Sequence, residues 1–262
     1  MQPLVSIVST LYNYRDYVID MIHSVQKQVY ENWELIIVDD ASTDTPLETI
    51  SPYLVDSRIQ YLPLPENHGY SYAKNVGIRA SRGEYIVMID ADDLLYDKYS
   101  ITYRLEALLK HPEKLWCHGD SVNLEPSGNI CTTSNARMKR RERRKRMTAE
   151  GTLETEYSHR LIHSQTIMVR REFHKRLGLY DENLWCSSDN EMFRRALRFG
   201  IIPYYIADIV SLYRIHPDQM HRSPEKRKII VELKKQIIAD VEKRFQEGIN
   251  ANNTSLLEES DE

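Results

Sequence analysis

Tyr85-Ile86-Val87-Met88-Ile89-Asp90-Ala91-Asp92-Asp93 decides how this chain is read, because five apolar residues run without a break into a cluster of acids. A run that is apolar at every position, not at alternate ones, is a strand covered on both faces, as in a parallel sheet between helices. Glu34-Leu35-Ile36-Ile37-Val38 repeats the pattern and ends in Asp39-Asp40, and Val5-Ser6-Ile7-Val8-Ser9 reads as a buried first strand. Asp16 is a candidate cap for a helix with apolar residues at Val18, Met21, Ile22, Val25 and Val29. Another helix follows Gly69, with Ala73, Val76, Gly77 and Ala80 small enough to let it approach the sheet closely. Strands alternating with helices predict βαβ units around a mostly parallel sheet. Ligands of such sheets bind beyond the carboxyl ends of the strands, so two acidic strand ends bring acids to one crevice.

The pattern changes after a helix near Lys98 to Lys110. Pro126-Ser127-Gly128-Asn129 is a turn signal between two strand-like runs, which predicts a hairpin. Arg137 to Arg146 holds eight basic residues and one acid, read as an extended or loosely helical loop. Thr166 to Val169 reads as a strand, Asn190 to Phe199 as a helix stopped at Gly200, and Pro203 to Tyr213 as a further strand. Leu233, Ile237, Val241 and Phe245 mark an amphipathic helix ending near Gly248. No internal repeat is found.

Composition excludes several classes. With 35 basic against 39 acidic residues, nothing pulls the whole chain toward nucleic acid, and the basic run lacks the interleaved aromatics that stack on bases. The longest apolar stretch, Ile201 to Tyr213, is broken by Pro203 and Asp208, so no membrane span is expected. No signal-peptide pattern precedes the first strand, and export is not expected. Three cysteines, Cys117, Cys131 and Cys186, without CxxC spacing fit a reducing, cytoplasmic compartment and no zinc site. Ser9-Thr10-Leu11-Tyr12-Asn13 after the first strand has no glycine, against a nicotinamide-binding fingerprint. A nucleotidyltransferase would show a glycine-rich basic loop there.

Asp90-Ala91-Asp92 is the chemical centre of the sequence. Carboxylates two apart at a strand end can hold a hard divalent cation, which neutralises a diphosphate; the plain alternative is an acidic turn or helix cap. The chain resembles family 2 glycosyltransferases of the GT-A fold at ordered stations from about residue 4 to 216. These are Val5 to Val8 with Tyr12-Asn13, Glu34 to Asp44, Asn67-His68-Gly69, Ala73-Lys74-Asn75, Gly83 to Ile86, Asp90 to Asp93, Ser188-Asp189, and Tyr213-Arg214-Ile215-His216.

The resemblance implies a GT-A, Rossmann-like α/β fold, a mostly parallel sheet sandwiched by helices with a C-terminal helical extension. It implies inverting transfer from a nucleotide diphosphate sugar, commonly a UDP-sugar, to a hydroxyl acceptor such as a glycan, with Mn2+ or Mg2+. Residues 1–220 would form the transferase domain, with 1–100 the nucleotide half and 101–220 the acceptor half. Residues 221–248 would be a helix and 249–262 a disordered acidic tail.

By position, Thr10, Leu11, Tyr12 and Asn13 would line the base and ribose pocket, and Asp40 would accept a uracil imide. Gly69, Lys74, Asp90, Ala91 and Arg214 would contact the nucleotide sugar, with Lys74 where the family often has arginine. Asp90, Asp92 and His216 would hold the metal. Asp189 would be the general base, with a plain helix cap as its alternative reading, and Glu191 the lesser candidate. Ser188 stands where the family has glutamate. Acceptor choice would reside in about Cys131 to His163. A lipid-linked acceptor would suit a peripheral membrane contact through Arg137 to Arg146 at the inner face of a membrane. The rival reading is a nucleotide-sugar-binding module without catalysis.

Overall fold

A computed structural model describes residues 2–131, 162–217, 219 and 224–247. The basic run at Arg137 to Arg146, most of the acceptor region expected over Cys131 to His163, and the acidic tail lie outside the described residues.

Four parallel strands form the first half: β1 (Val5–Leu11), β2 (Trp33–Asp39), β3 (Ile59–Pro63) and β4 (Tyr85–Asp90). Their order is β3-β2-β1-β4, so the chain runs outward from β1 to β3 and then returns to β1's other side. Every residue of β1 and β2 is buried, and apart from Glu34 and Asp39 their side chains are apolar or small hydroxyls rather than alternating. Helices α1 (Arg15–Gln26), α2 (Pro46–Ile50) and α3 (Tyr70–Ala80) lie in the connections.

The sheet continues through β5 (Leu94–Leu95), β6 (Trp116–Leu124), β7 (Ile130–Cys131), β8 (Ile167–Arg170) and β9 (Tyr204–Arg214). The full order is β3-β2-β1-β4-β8-β6-β9-β5, with β7 hairpinned onto β6. Gly128 turns that hairpin at φ +81°, a left-handed conformation that favours glycine. Helices α4 (Ser100–Lys110), α5 (Arg171–Leu177), α6 (Ser188–Arg198) and α7 (Pro224–Gln246) complete the helices of the described residues.

The sheet is sandwiched, as the run of apolar residues implies. Alternate residues Val5, Ile7, Leu35, Ile37, Val87 and Ile89 pack with α1 and α4, while Val8, Ile86 and Met88 pack with Ile78, Phe173, Met192 and Phe193. α7 lies against α6, with Phe245 5.7 Å from Phe199 and Arg244 reaching Glu191.

Two local expectations are corrected. Asp16 does not cap α1: Tyr14 holds the cap position, and Asp44 from the loop after β2 accepts the Arg15 N–H at 2.8 Å. A distant carboxylate thus fills the role, leaving Asp16 in the first turn. Val29 lies beyond α1 and is exposed, because the helix ends at Gln26. Among the described residues, no helix is long and apolar enough to cross a membrane.

Candidate active site at the carboxyl ends of the parallel strands

Strand register brings the two acidic ends together. Leu11 lies beside Asp39 on one flank and Thr10 beside Asp90 on the other, so the ends of β2 and β4 straddle β1 where strand order reverses. The Asp40 N–H donates to Leu11 O at 2.9 Å and the Ala91 N–H to Thr10 O at 3.2 Å, carrying both chains past the same edge.

Beyond β4 the chain turns, and carboxylate oxygens of Asp90, Asp92 and Asp93 lie within 4.8 Å of one another. Burial pushes the Asp90 carboxyl up to about 6, opposed by Lys74 and reinforced by Asp92 and Asp189. Burial, then Asp92 and Asp90, pushes Asp93 well above the usual carboxylate range, and its Oδ2 is buried without a hydrogen-bond partner among the described residues. Crowded carboxylates in low dielectric repel one another, and a divalent cation relieves that repulsion.

His216 Nε2 lies 2.9 Å from Asp92 Oδ2, and its ring packs against Tyr14 and Tyr17. That contact ties His216 to the acid turn, so its imidazole stands beside the clustered carboxylates. The donor set fits a divalent cation such as Mn2+ or Mg2+: hard oxygens, one imidazole and an orphaned buried oxygen. Arg214 steadies the acid turn from β9. Its N–H donates to Asp93 Oδ1 at 3.0 Å, its Nε to Asp92 O at 2.9 Å and its Nη2 to Asp20 Oδ2 at 2.7 Å.

On the β2 side, Asp40 Oδ1 and Oδ2 accept the His68 and Gly69 N–H groups, each at 2.8 Å. Asp40 therefore pins the start of α3 to the strand end, with Gly69 at φ +91° making the turn. Asp39 accepts from the Ser42 N–H and the Tyr61 hydroxyl. Asn13 laces two loops together, its N–H donating to Ser42 Oγ and its Oδ1 accepting from the Thr43 N–H. Tyr12 beside it is 46% exposed. Thr10 Oγ1 lies 3.5 Å from Asp90 Oδ1, and Leu11 and Ala91 are buried supports.

α3 and α6 close the far wall. Lys74 is buried, ion-paired with Asp189, and flanked by the rings of Tyr70 at 3.9 Å and Tyr180 at 4.8 Å. Asp189 sits in the first turn of α6 behind Ser187, which takes the cap position at φ +62°. The plain helix-cap reading of Asp189 is thereby corrected. Left-handed non-glycine residues cost strain, and Asn13, Ala41 and Ser187 lie in the loops that build this crevice. Glu191 is held by Arg195 at 2.7 Å and by Arg244 at 3.5 Å.

Sequence reasoning missed Tyr70, whose hydroxyl donates to Asp90 Oδ1 at 2.7 Å, and Tyr180, the second ring on Lys74. It also missed Asp20, partner of Arg214. Tyr70 follows Gly69 directly, but only α3's rotation against the sheet turns its hydroxyl to the acids.

A parallel half ending in clustered carboxylates, followed by a mixed half that carries a further acid on a helix, defines the GT-A class of α/β folds. Within it, this chain belongs to glycosyl transferase family 2, whose sequence profile matches residues 6–178. TuaG of Bacillus subtilis, named for teichuronic acid biosynthesis, is 38% identical over 110 residues, which are 42% of this chain and 43% of TuaG. The chain thus spans less than half the length of that relative. The S. aureus TarS 1-349 structure in complex with UDP-GlcNAc superposes with a TM-score of 0.67 at 18% identity, over 95% of this chain and 74% of that one. Mannosyltransferase PcManGT from Pyrobaculum calidifontis, in complex with GDP-Man and Mn2+, gives 0.64 at 18% identity, over 87% and 61%.

Proposed function

We propose that the chain is an inverting glycosyltransferase, moving a sugar from a nucleotide diphosphate sugar, a UDP-sugar in the first instance, to a hydroxyl of a glycan or similar acceptor. The observation that carries this reading is that Lys74 and Tyr70 link Asp189 directly to Asp90, one of the three clustered acids Asp90, Asp92 and Asp93. Relatives that bind UDP-GlcNAc or GDP-Man with Mn2+ support the donor class.

Tyr12 stacks on the base, with Thr10, Leu11 and Asn13 around the base and ribose. Asp40 keeps lone pairs beyond its two backbone bonds and accepts the uracil imide. Gly69 and Ala91 bring backbone close to the donor. Asp90, Asp92 and His216 would hold Mn2+ or Mg2+, with Arg214 fixing the turn that carries the two acids. When bound, the cation neutralises the diphosphate and stabilises it as the leaving group. Asp189 takes the acceptor hydroxyl proton while that oxygen bonds to the anomeric carbon and the bond to the diphosphate breaks. The displacement occurs in line, so the anomeric centre inverts. Glu191 is too firmly held by two guanidinium groups to serve instead.

Asp189→Asn tests the assignment. UDP affinity in the presence of Mn2+, by calorimetry, should stay within about twofold, while sugar transfer falls by about 10³-fold, the scale of a lost general base. Retained turnover would move the base elsewhere. Slow metal-dependent hydrolysis of a nucleotide sugar by the wild type separates an enzyme from a binding module.

A further inference from the structure

Lys74 extends this reading, and the step rests on Asp189 being the base. The side chain is 1% exposed, a degree of burial lysine rarely reaches without partners. Its ammonium is accounted for by the Asp189 carboxylate and the faces of Tyr70 and Tyr180. Both rings are anchored: the Tyr70 hydroxyl to Asp90, and the Tyr180 backbone to Asn75, whose side chain donates to Tyr180 O at 2.9 Å and accepts its N–H at 3.0 Å. Asn75 is Lys74's chain neighbour, so helix α3 carries the cation and one wall of its cage together.

We propose that Lys74 is a positioning residue for sugar transfer, holding the Asp189 carboxylate in its reactive place beside the acid cluster, and is not a ligand of the donor's diphosphate. Asp189 Oδ1 is taken by Lys74, while Oδ2 has no hydrogen-bond partner among the described residues and the side chain is 21% exposed. One oxygen is fixed and the other is open to an acceptor hydroxyl. Without the cation, Asp189 would face Asp90 of the acid cluster as a further like charge and swing away from it. Pulling Lys74 onto a phosphate would strip it from its carboxylate and both rings, an expensive exchange for a buried ammonium.

The test uses the full chain with Mn2+, UDP for binding, and UDP-GlcNAc and GDP-mannose as donors. Lys74→Met should lower kcat about 100-fold while donor KM and the Kd for UDP stay within about twofold. Lys74→Arg, which keeps the charge, should recover at least about a tenth of wild-type kcat. In an Asp189→Asn background, adding Lys74→Met should cause no further loss, because the lysine acts through that carboxylate.

A rise of about tenfold or more in donor KM and UDP Kd with kcat preserved would make Lys74 a phosphate ligand and overturn the proposal, as would an unchanged kcat. Should Lys74→Met fail to fold, the double variant removes both charges, and UDP affinity there decides: wild-type Kd supports the proposal, a tenfold loss sinks it. If Asp189→Asn keeps turnover, the base assignment falls. If Asp189→Asn loses turnover and Lys74→Met does not, only the role of Lys74 falls.

Discussion

Asp90 shows how a single side chain sets function against stability. It accepts from Tyr70 at 2.7 Å, yet burial near other acids raises its carboxyl to about 6 from an ordinary value near 4. Because the folded value lies above the unfolded one, the native state binds more protons between roughly pH 4 and 6, and stability from this group falls as pH rises through that window. At neutral pH the ionised Asp90 is therefore a cost on the order of 3 kcal/mol in the metal-free protein. Asp90→Asn should raise the melting temperature without metal at pH 7.5, with the gain shrinking toward pH 5, and should weaken any metal-dependent response to UDP. A melting temperature that falls at pH 7.5 would contradict the repulsion argued for the cluster. The acids themselves are plain in the sequence. That Asp93 joins them with a buried oxygen unpartnered among the described residues is not, because only the turn after β4 decides where its side chain points.

At the scale of elements, α3 carries Gly69, Tyr70, Lys74 and Asn75 to the cleft, so its seat on the sheet fixes the site. The small residues seen in its sequence permit that seat. A Cβ at Gly77 would lie 2.3 Å from Val8 Cγ1 and 3.2 Å from Val38 Cγ2, inside van der Waals contact. Gly77→Ala should destabilise the fold by about 1–3 kcal/mol through overpacking, read by urea unfolding, despite alanine's better helix propensity. Stabilisation would mean that α3 can shift freely and does not define the cleft. The helix itself was legible from spacing, as were β1, β2, β4 and the hairpin at Gly128. The cap of α1 was not, since Asp44 reaches Arg15 from 29 residues away and leaves no mark near Asp16.

Across the whole molecule, the parallel half and the mixed half meet at the acid turn, where Arg214 and His216 arrive from β9 and beyond. On the proposed reading, a nucleotide diphosphate binds only when cation and cleft are both complete. UDP at about 100 times its Kd should then raise the melting temperature by about 5 °C with Mn2+ or Mg2+ present and not in EDTA. A shift of equal size without metal would remove the cation from donor binding, and no shift with any nucleotide diphosphate would count against the donor class.

The sequence by itself determined the βαβ order, the buried parallel strands, the acidic strand ends and the family, because periodicity, strand composition and ordered motifs are written locally along the chain. Only the tertiary structure decided that Lys74 meets Asp189 across 115 residues, that His216 meets Asp92 across 124, and that Asp40 spends both oxygens on the start of α3. Such pairings depend on the rotation and seating of packed elements, which no local pattern of residues encodes.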